Sequence, residues 1–309
     1  MSSSRLNWVL AVCLTLILFG VLFRQVEISQ LWAGFSRIPG WCIAAAFLLF
    51  VGEGVISTWR ILACAATSRT QPRVINALSA NGWWVLLVLA LPARLGEVAA
   101  IAVVRRDLDM SVGAAAMSIV FQRMLDVICL VALSIVLLTF AYVDAGFAMW
   151  AGLVASLVIL LLLSRIEGML TWAARLVVRF RQLFRPLIQA RRWRRQLTTN
   201  KFLRVVVLTV FKWLFTFSGI GVLIYGFASL DTGQALGSTA VYSLGSAVPI
   251  HGLGGVGIGE YSLAGVLQHL AAVDTPTAVA TALGVRFFII SFGVCFFLFS
   301  RVAGWFYGR

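Results

Sequence analysis

Charge is scarce in this chain. Aspartate, glutamate, lysine and arginine make up 12% of its 309 residues, about half the share that a water-soluble domain uses to wet its surface. With 61% apolar residues and a mean hydropathy of +0.98, that shortage excludes a soluble globular enzyme. Intrinsic disorder needs low hydrophobicity and is excluded as well. An outer-membrane barrel is excluded because its strands alternate rather than run apolar for about twenty residues. There are only two lysines, Lys201 and Lys212, and no Walker GxxxxGK[ST] motif. HExxH and other metal clusters are missing, as is a nucleophile elbow, so no cofactor is expected and ATP does not drive the protein directly. Cys13, Cys42, Cys64, Cys129 and Cys295 lie in apolar runs without CxxC spacing. They read as small buried hydrophobes, neither a disulfide framework nor a metal site.

What the sequence does contain is a series of long apolar runs. A membrane span needs about 20 mostly apolar residues, and six segments meet this: 8–23, 41–63, 113–140, 146–164, 205–229 and 278–300. The first resembles a signal peptide but lacks a small-x-small cleavage site, so an uncleaved span is expected. Trp8, Trp41, Trp59, Trp150 and Trp305, near span ends, suit the headgroup level. Two more apolar stretches, 74–104 and 236–270, are broken in the middle by proline, glycine and charge. The breaks are Leu91-Pro92-Ala93-Arg94-Leu95-Gly96-Glu97 and the glycine-rich run from Val248 through Pro249 and His251 to Glu260. Each stretch reads as two spans or as one re-entrant hairpin. The fold class is thus an all-α polytopic membrane protein, a single domain over 1–309 with six full spans and two broken hairpins.

The net charge is +14, and segment 165–204 supplies +10 of it, with eleven basic residues against Glu167 alone. Beside transmembrane helices such a patch signals cytoplasmic topology and contact with anionic lipid rather than nucleic acid. Counting spans from there places both termini in the cytoplasm, with Arg5, Arg60, Arg69, Arg73, Arg105 and Arg106 also inside; Arg24 and Arg37 are exceptions. Within 165–204, Met169, Ala173, Leu176, Phe180, Leu183 and Leu187 recur at alternating three and four residues. This predicts an amphipathic basic helix on the cytoplasmic surface, followed by Arg191-Arg192-Trp193-Arg194-Arg195. It would gather anionic lipid, or serve topology and anchoring alone.

The two broken stretches also repeat one another. Glu97 precedes Arg123 by 26 residues and Glu260 precedes Arg286 by 26, and each glutamate follows a glycine, Gly96 or Gly259. The units, 74–140 and 236–304, enter from opposite sides in this topology, giving an inverted repeat of the kind from which transporters build a midplane site. Four ionised side chains at the bilayer centre would cost on the order of 10 kcal/mol on insertion scales, comparable to the ~5 to 15 kcal/mol net stability of a fold. Glu97, Arg123, Glu260 and Arg286 must therefore pair or line water. As plain ion pairs they would only hold helices together; as a hydrated cavity at the repeat interface they would bind a polar ligand.

Several other residues qualify that choice. Asp126, three residues after Arg123, tunes it or is merely its local partner. Arg94, beside Pro92, would meet a phosphate or snorkel. Glu53 lies too deep to snorkel and needs a polar partner, whereas Lys212 is expected to reach the interface along its own stem. Gly252 to Gly257 satisfies GxGxxG but lacks a preceding strand, so the dinucleotide reading fails. Gly255 and Gly257 would instead form a turn whose free N–H groups face an anion, unless Gly255 and Gly259 serve close helix packing. His251, near Glu260, is a buried hydrogen-bonding residue or a source of pH dependence.

Taken in order, Leu91 to Glu97, Arg123 with Asp126, the glycine segment from Pro249 to Glu260, and Arg286 resemble the flippase-like transmembrane domain of bifunctional lysylphosphatidylglycerol synthases. That domain also occurs as stand-alone membrane proteins. The resemblance covers nearly the whole chain and implies movement of aminoacylated or other anionic-headgroup lipids between leaflets along re-entrant helices. By that resemblance the site residues are Pro92, Arg94, Gly96, Glu97, Arg123, Asp126, Gly255, Gly257, Glu260 and Arg286. Ending at Arg309, the chain is expected to work without the soluble aminoacyl-transfer domain of the bifunctional members, which points to polyprenyl-phosphate sugars or other lipids beside the lysyl lipid. The leading expectation is a non-enzymatic lipid flippase or scramblase of the bacterial cytoplasmic membrane, with membrane phospholipids as its partners. Alternatives are transport of a polyprenyl-phosphate-linked sugar, an enzyme acting on a lipid phosphate, and a non-transporting partner of a separate lipid synthase or glycosyltransferase. A homo-oligomer is compatible with the sequence. Asp107 and Asp109 form the one close acidic pair, and Arg105 and Arg106 beside them suggest an ordinary charged loop.

Overall fold

A computed structural model describes residues 35–36, 38–65, 72–91, 95–143, 198–248 and 257–307, together with single residues 147, 150, 152, 154 and 193. Among the described residues the chain is helical and without strands: α1 (Gly40–Ala65), α2 (Val74–Ala90), α3 (Leu95–Asp107), α4 (Val112–Tyr142), α5 (Thr199–Ala228), α6 (Thr232–Ala247), α7 (Ile258–His269) and α8 (Thr275–Tyr307). The expected span 8–23 and nearly all of 146–164 and 165–197 lie outside these residues. So do Pro92, Arg94, Pro249, His251 and Gly255.

Four helices, α1, α4, α5 and α8, are long and apolar enough to cross a membrane. They extend the expected spans by one to seven residues at either end, apart from the end of α5, which stops one residue early. Short polar side chains account for several of the starts. Ser111, Thr198 and Asp231 accept the N–H groups of Ala114, Lys201 and Gln234 and so cap α4, α5 and α6. Asp274 does the same for Thr277 in α8.

The broken stretches fold as helical hairpins, α2 on α3 and α6 on α7. At 1.5 Å per residue α3 and α7 are about 20 and 18 Å long, well short of a hydrocarbon core of ~30 Å. Each hairpin closes on a glycine. A Cβ at Gly96 would collide with the backbone of Leu87 and Val88, and one at Gly259 with Ser246, so the helices approach to a distance that a larger residue would prevent. Gly259 thus fulfils the packing role weighed for it above.

The packing is reciprocal. α1 lies on α5, α2 on α8, and α6 on α4. Exchanging α1–α4 with α5–α8 carries each of these pairings, and the two hairpins, onto one another. Buried apolar residues collect in two main clusters. One, with Ala77, Ala100, Phe121 and Leu125, belongs chiefly to the first half. The other, with Ile224, Leu263, Leu267 and Val285, belongs chiefly to the second. Large apolar side chains such as Val120, Val131, Phe211, Leu214 and Phe299 point outward, as expected of helices bathed in lipid rather than water.

Trp193, in the basic run 191–195, is buried, and its Nε1 donates to the Cys64 carbonyl at 3.0 Å. One local expectation fails. Cys295 is exposed on α8, whereas Cys42, Cys64 and Cys129 are buried as expected.

Candidate functional site: a shared polar cavity between the two halves

The four long helices each carry a charged residue at similar depth. Glu53 follows the first residue of α1 by 13 positions and Lys212 that of α5 by 13; Arg123 follows the start of α4 by 11 and Arg286 that of α8 by 11. These side chains are therefore about 17 to 20 Å along their helices, far from the ends where a long stem could reach the interface.

The two glutamates are each the third residue of a hairpin's second helix, Glu97 in α3 and Glu260 in α7. There the free N–H groups of the first turn favour negative charge. Glu97 Oε1 is 3.1 Å from Arg123 Nε, and the Arg123 guanidinium lies over the Trp84 ring at 5.2 Å, a cation–π contact. Glu260 Oε1 is 3.6 Å from Arg286 Nε. Arg286 Nη1 donates to the Tyr242 hydroxyl at 3.3 Å, and that hydroxyl donates to Glu260 at 3.2 Å. Each half thus assembles the same trio: an aromatic from the hairpin's first helix, a glutamate from its second, and an arginine from the long helix that follows.

The trios differ in openness. Arg123 and Glu97 are 30% and 20% exposed, Arg286 is 12% exposed, and Glu260 is fully buried. Glu260 Oε2 also accepts the Gly257 N–H at 2.7 Å. That bond corrects one expectation, because the Gly257 N–H is consumed by the α7 cap and is not free to face an anion.

Asp126 is the hub of the first half. Its carboxylate forms a bidentate ion pair with buried Arg60, Oδ1 to Nη1 and Oδ2 to Nη2, the second contact at 3.3 Å. It also accepts Arg123 Nη1 at 3.3 Å, Lys212 Nζ at 3.4 Å and Trp213 Nε1 at 3.1 Å. Asp126 is therefore far more than a local partner of Arg123. Two further corrections follow. Arg60, counted above among cytoplasmic charges, is a buried member of this network. Lys212 does not snorkel but points inward, 12% exposed, to Asp126. Glu53 receives the polar partner it required, the Ser57 hydroxyl at 2.8 Å. Asp107 pairs with Arg106 at 2.7 Å, but Arg105, Arg106 and Asp107 form the last turn of α3 where the sequence suggests a charged loop.

Glu97, Arg123, Asp126 and Arg286 line one cavity of about 280 Å³, together with Trp213, Tyr242 and Ser243. Phe50, Val88, Val127, Leu130 and Ile289 contribute to its apolar wall. Two guanidinium groups on helices of opposite halves therefore face a common space that also holds acidic oxygens. Arginine presents a rigid fork of donors suited to phosphate oxygens, and an accessible carboxylate suits an ammonium group. Among the described residues no cluster of histidine, cysteine or acidic side chains could hold a metal.

Sequence reasoning missed Arg60, Trp84, Trp213 and Tyr242. Only Arg60 left a signal, lying inside an apolar run seven residues, about two turns, after Glu53. Neither the curated proteins nor the solved structures yield a match to this chain. The family model described as the lysylphosphatidylglycerol synthase TM region matches residues 8–296, nearly the full length, and the chain belongs to that family.

Proposed function

We propose that this protein moves anionic or aminoacylated phospholipid headgroups between the leaflets of the bacterial cytoplasmic membrane, without chemical conversion. Arg123 and Arg286 take the headgroup phosphate from opposite walls, and Glu97 receives a cationic amine where the headgroup has one. Units 74–140 and 236–304 form an inverted repeat whose hairpins are re-entrant, and their alternate opening exposes the cavity to each side in turn. Acyl chains remain in the hydrocarbon. Both termini and the basic segment 165–204 face the cytoplasm.

One observation carries this reading: the Glu97–Arg123 pair and Arg286 of the second pair line a single cavity instead of being sealed in separate dry contacts. Membership of a lipid-synthase membrane family supports it. The test is a leaflet-resolved transfer assay in proteoliposomes with labelled phosphatidylglycerol. Loss of a charge-assisted hydrogen bond is worth ~1.5 to 3 kcal/mol, so Arg123→Ala and Arg286→Ala should each slow transfer by about tenfold or more. Folded variants that transfer lipid as fast as the parent would eliminate the proposal.

A further inference from the structure

Beside the polar cavity lies a second hollow of similar size, about 280 Å³, open sideways between α1 and α8. Its walls are chemically uniform. Five of its eight lining residues are phenylalanines, the rest are Val51, Val55 and Cys295, and none is charged. The lining spans 47–55 on α1 and 292–299 on α8, about 12 Å along the helix axis. Gly54 makes room for it, since a Cβ there would run into the Phe296 ring.

The groove is contiguous with the polar cavity. Phe50 lines both, and Phe292 meets it at 5.4 Å between ring centroids while also meeting Phe47 at 5.6 Å. Phe50 is therefore the side chain common to a space lined by charged groups and one whose lining carries no charge. From this juxtaposition we propose that the α1/α8 groove is the binding site for the hydrocarbon tail of the lipid whose headgroup occupies the polar cavity. Phe50 is the partition around which the two ends of that molecule divide. The tail leaves through one defined fissure, instead of spreading over the outer surface at large. The inference rests on the lipid reading above and adds where, and by which helices, the substrate is gripped outside the cavity.

Cys295 provides the test, because it is the exposed cysteine in the groove while the other described cysteines are buried. The probe is phosphatidylglycerol with a diazirine near the end of one acyl chain, in phosphatidylethanolamine vesicles, with adducts located by peptide sequencing. Adducts are expected to concentrate on 47–55 and 292–299, with few on the outward Phe211 and Leu214 of α5. In an Arg123→Ala/Arg286→Ala variant the groove adducts should fall about tenfold while those on α5 stay constant. Because that variant could fail to fold, the parent is tested as well. Capping Cys295 with N-cyclohexylmaleimide in a Cys13→Ala background should cut both groove adducts and lipid transfer, and Cys295→Ala should make the protein indifferent to the reagent. Adducts spread evenly over all outward faces, with transfer untouched by the cap, would overturn the groove while leaving the lipid-translocator reading intact. Groove adducts undiminished in the arginine variant would also overturn it, by uncoupling groove from cavity. A parent that transfers no lipid and shows even adducts would sink both.

Discussion

Asp126 is the most informative single position to perturb. Its carboxylate is held by Arg60, Arg123, Lys212 and Trp213, and it is buried. Asp126→Asn preserves the shape but removes the negative charge on which three cations converge. Breaking a buried pair by neutralising one partner costs about 3 to 5 kcal/mol, because the other charge is left uncompensated. Here Arg60 and Lys212 would both be stranded, so the upper part of that range, about 4 to 5 kcal/mol, applies. For a chain of this size ~1 kcal/mol corresponds to about 2 °C, which predicts a fall in melting temperature of about 8 to 10 °C in detergent. Removing the cation as well, in Asp126→Asn/Arg60→Met, should restore part of the loss, with a coupling of about 2 kcal/mol between the sites. The assay is thermal unfolding of the purified protein followed by intrinsic fluorescence and by size-exclusion recovery. An Asp126→Asn protein that melts with the parent, or a double variant no better than the sum of its singles, would refute the buried-hub argument.

Two further outcomes follow from the geometry. Gly96→Val should cost about 1 to 3 kcal/mol, because the added side chain meets the α2 backbone near Leu87 and Val88 and not a yielding side chain. Trypsin sensitivity of the α2–α3 hairpin, together with melting temperature, would check it. Tyr242→Phe removes the hydroxyl that bridges Arg286 and Glu260, and should lower stability by ~1 to 2 kcal/mol and slow lipid transfer more than a phenylalanine exchange at exposed Tyr261 does.

Much of this could be read before any coordinates, because bilayer thickness turns chain length into depth. Run lengths located α1, α4, α5 and α8, and the proline and glycine breaks located both hairpins. The equal spacing of Glu97 to Arg123 and Glu260 to Arg286 singled out two pairs that are in contact. Arg60 escaped because it lies near the end of an apolar run, where a positive charge is ordinarily an interface residue; only the third dimension shows α4 beside it with an aspartate waiting. Lys212 was misread for the same reason, since a long stem can reach water as easily as a buried acid and the sequence does not say which is nearer. Tyr242 and Trp84 were invisible because an aromatic in an apolar helix looks alike whether it faces lipid or an arginine.

The reciprocal packing has a consequence for how such a chain can be built. The hairpin of each half rests on the other half's long helix, α2 on α8 and α6 on α4, so severing the chain between 143 and 198 would give two fragments that each lack a wall. Either alone would keep its hairpin against its own long helices but bare the face that the other half covers, whereas together they should knit back into one body. Genetic complementation by two co-expressed halves, and the failure of each by itself, is the signature of two parts that shelter one another.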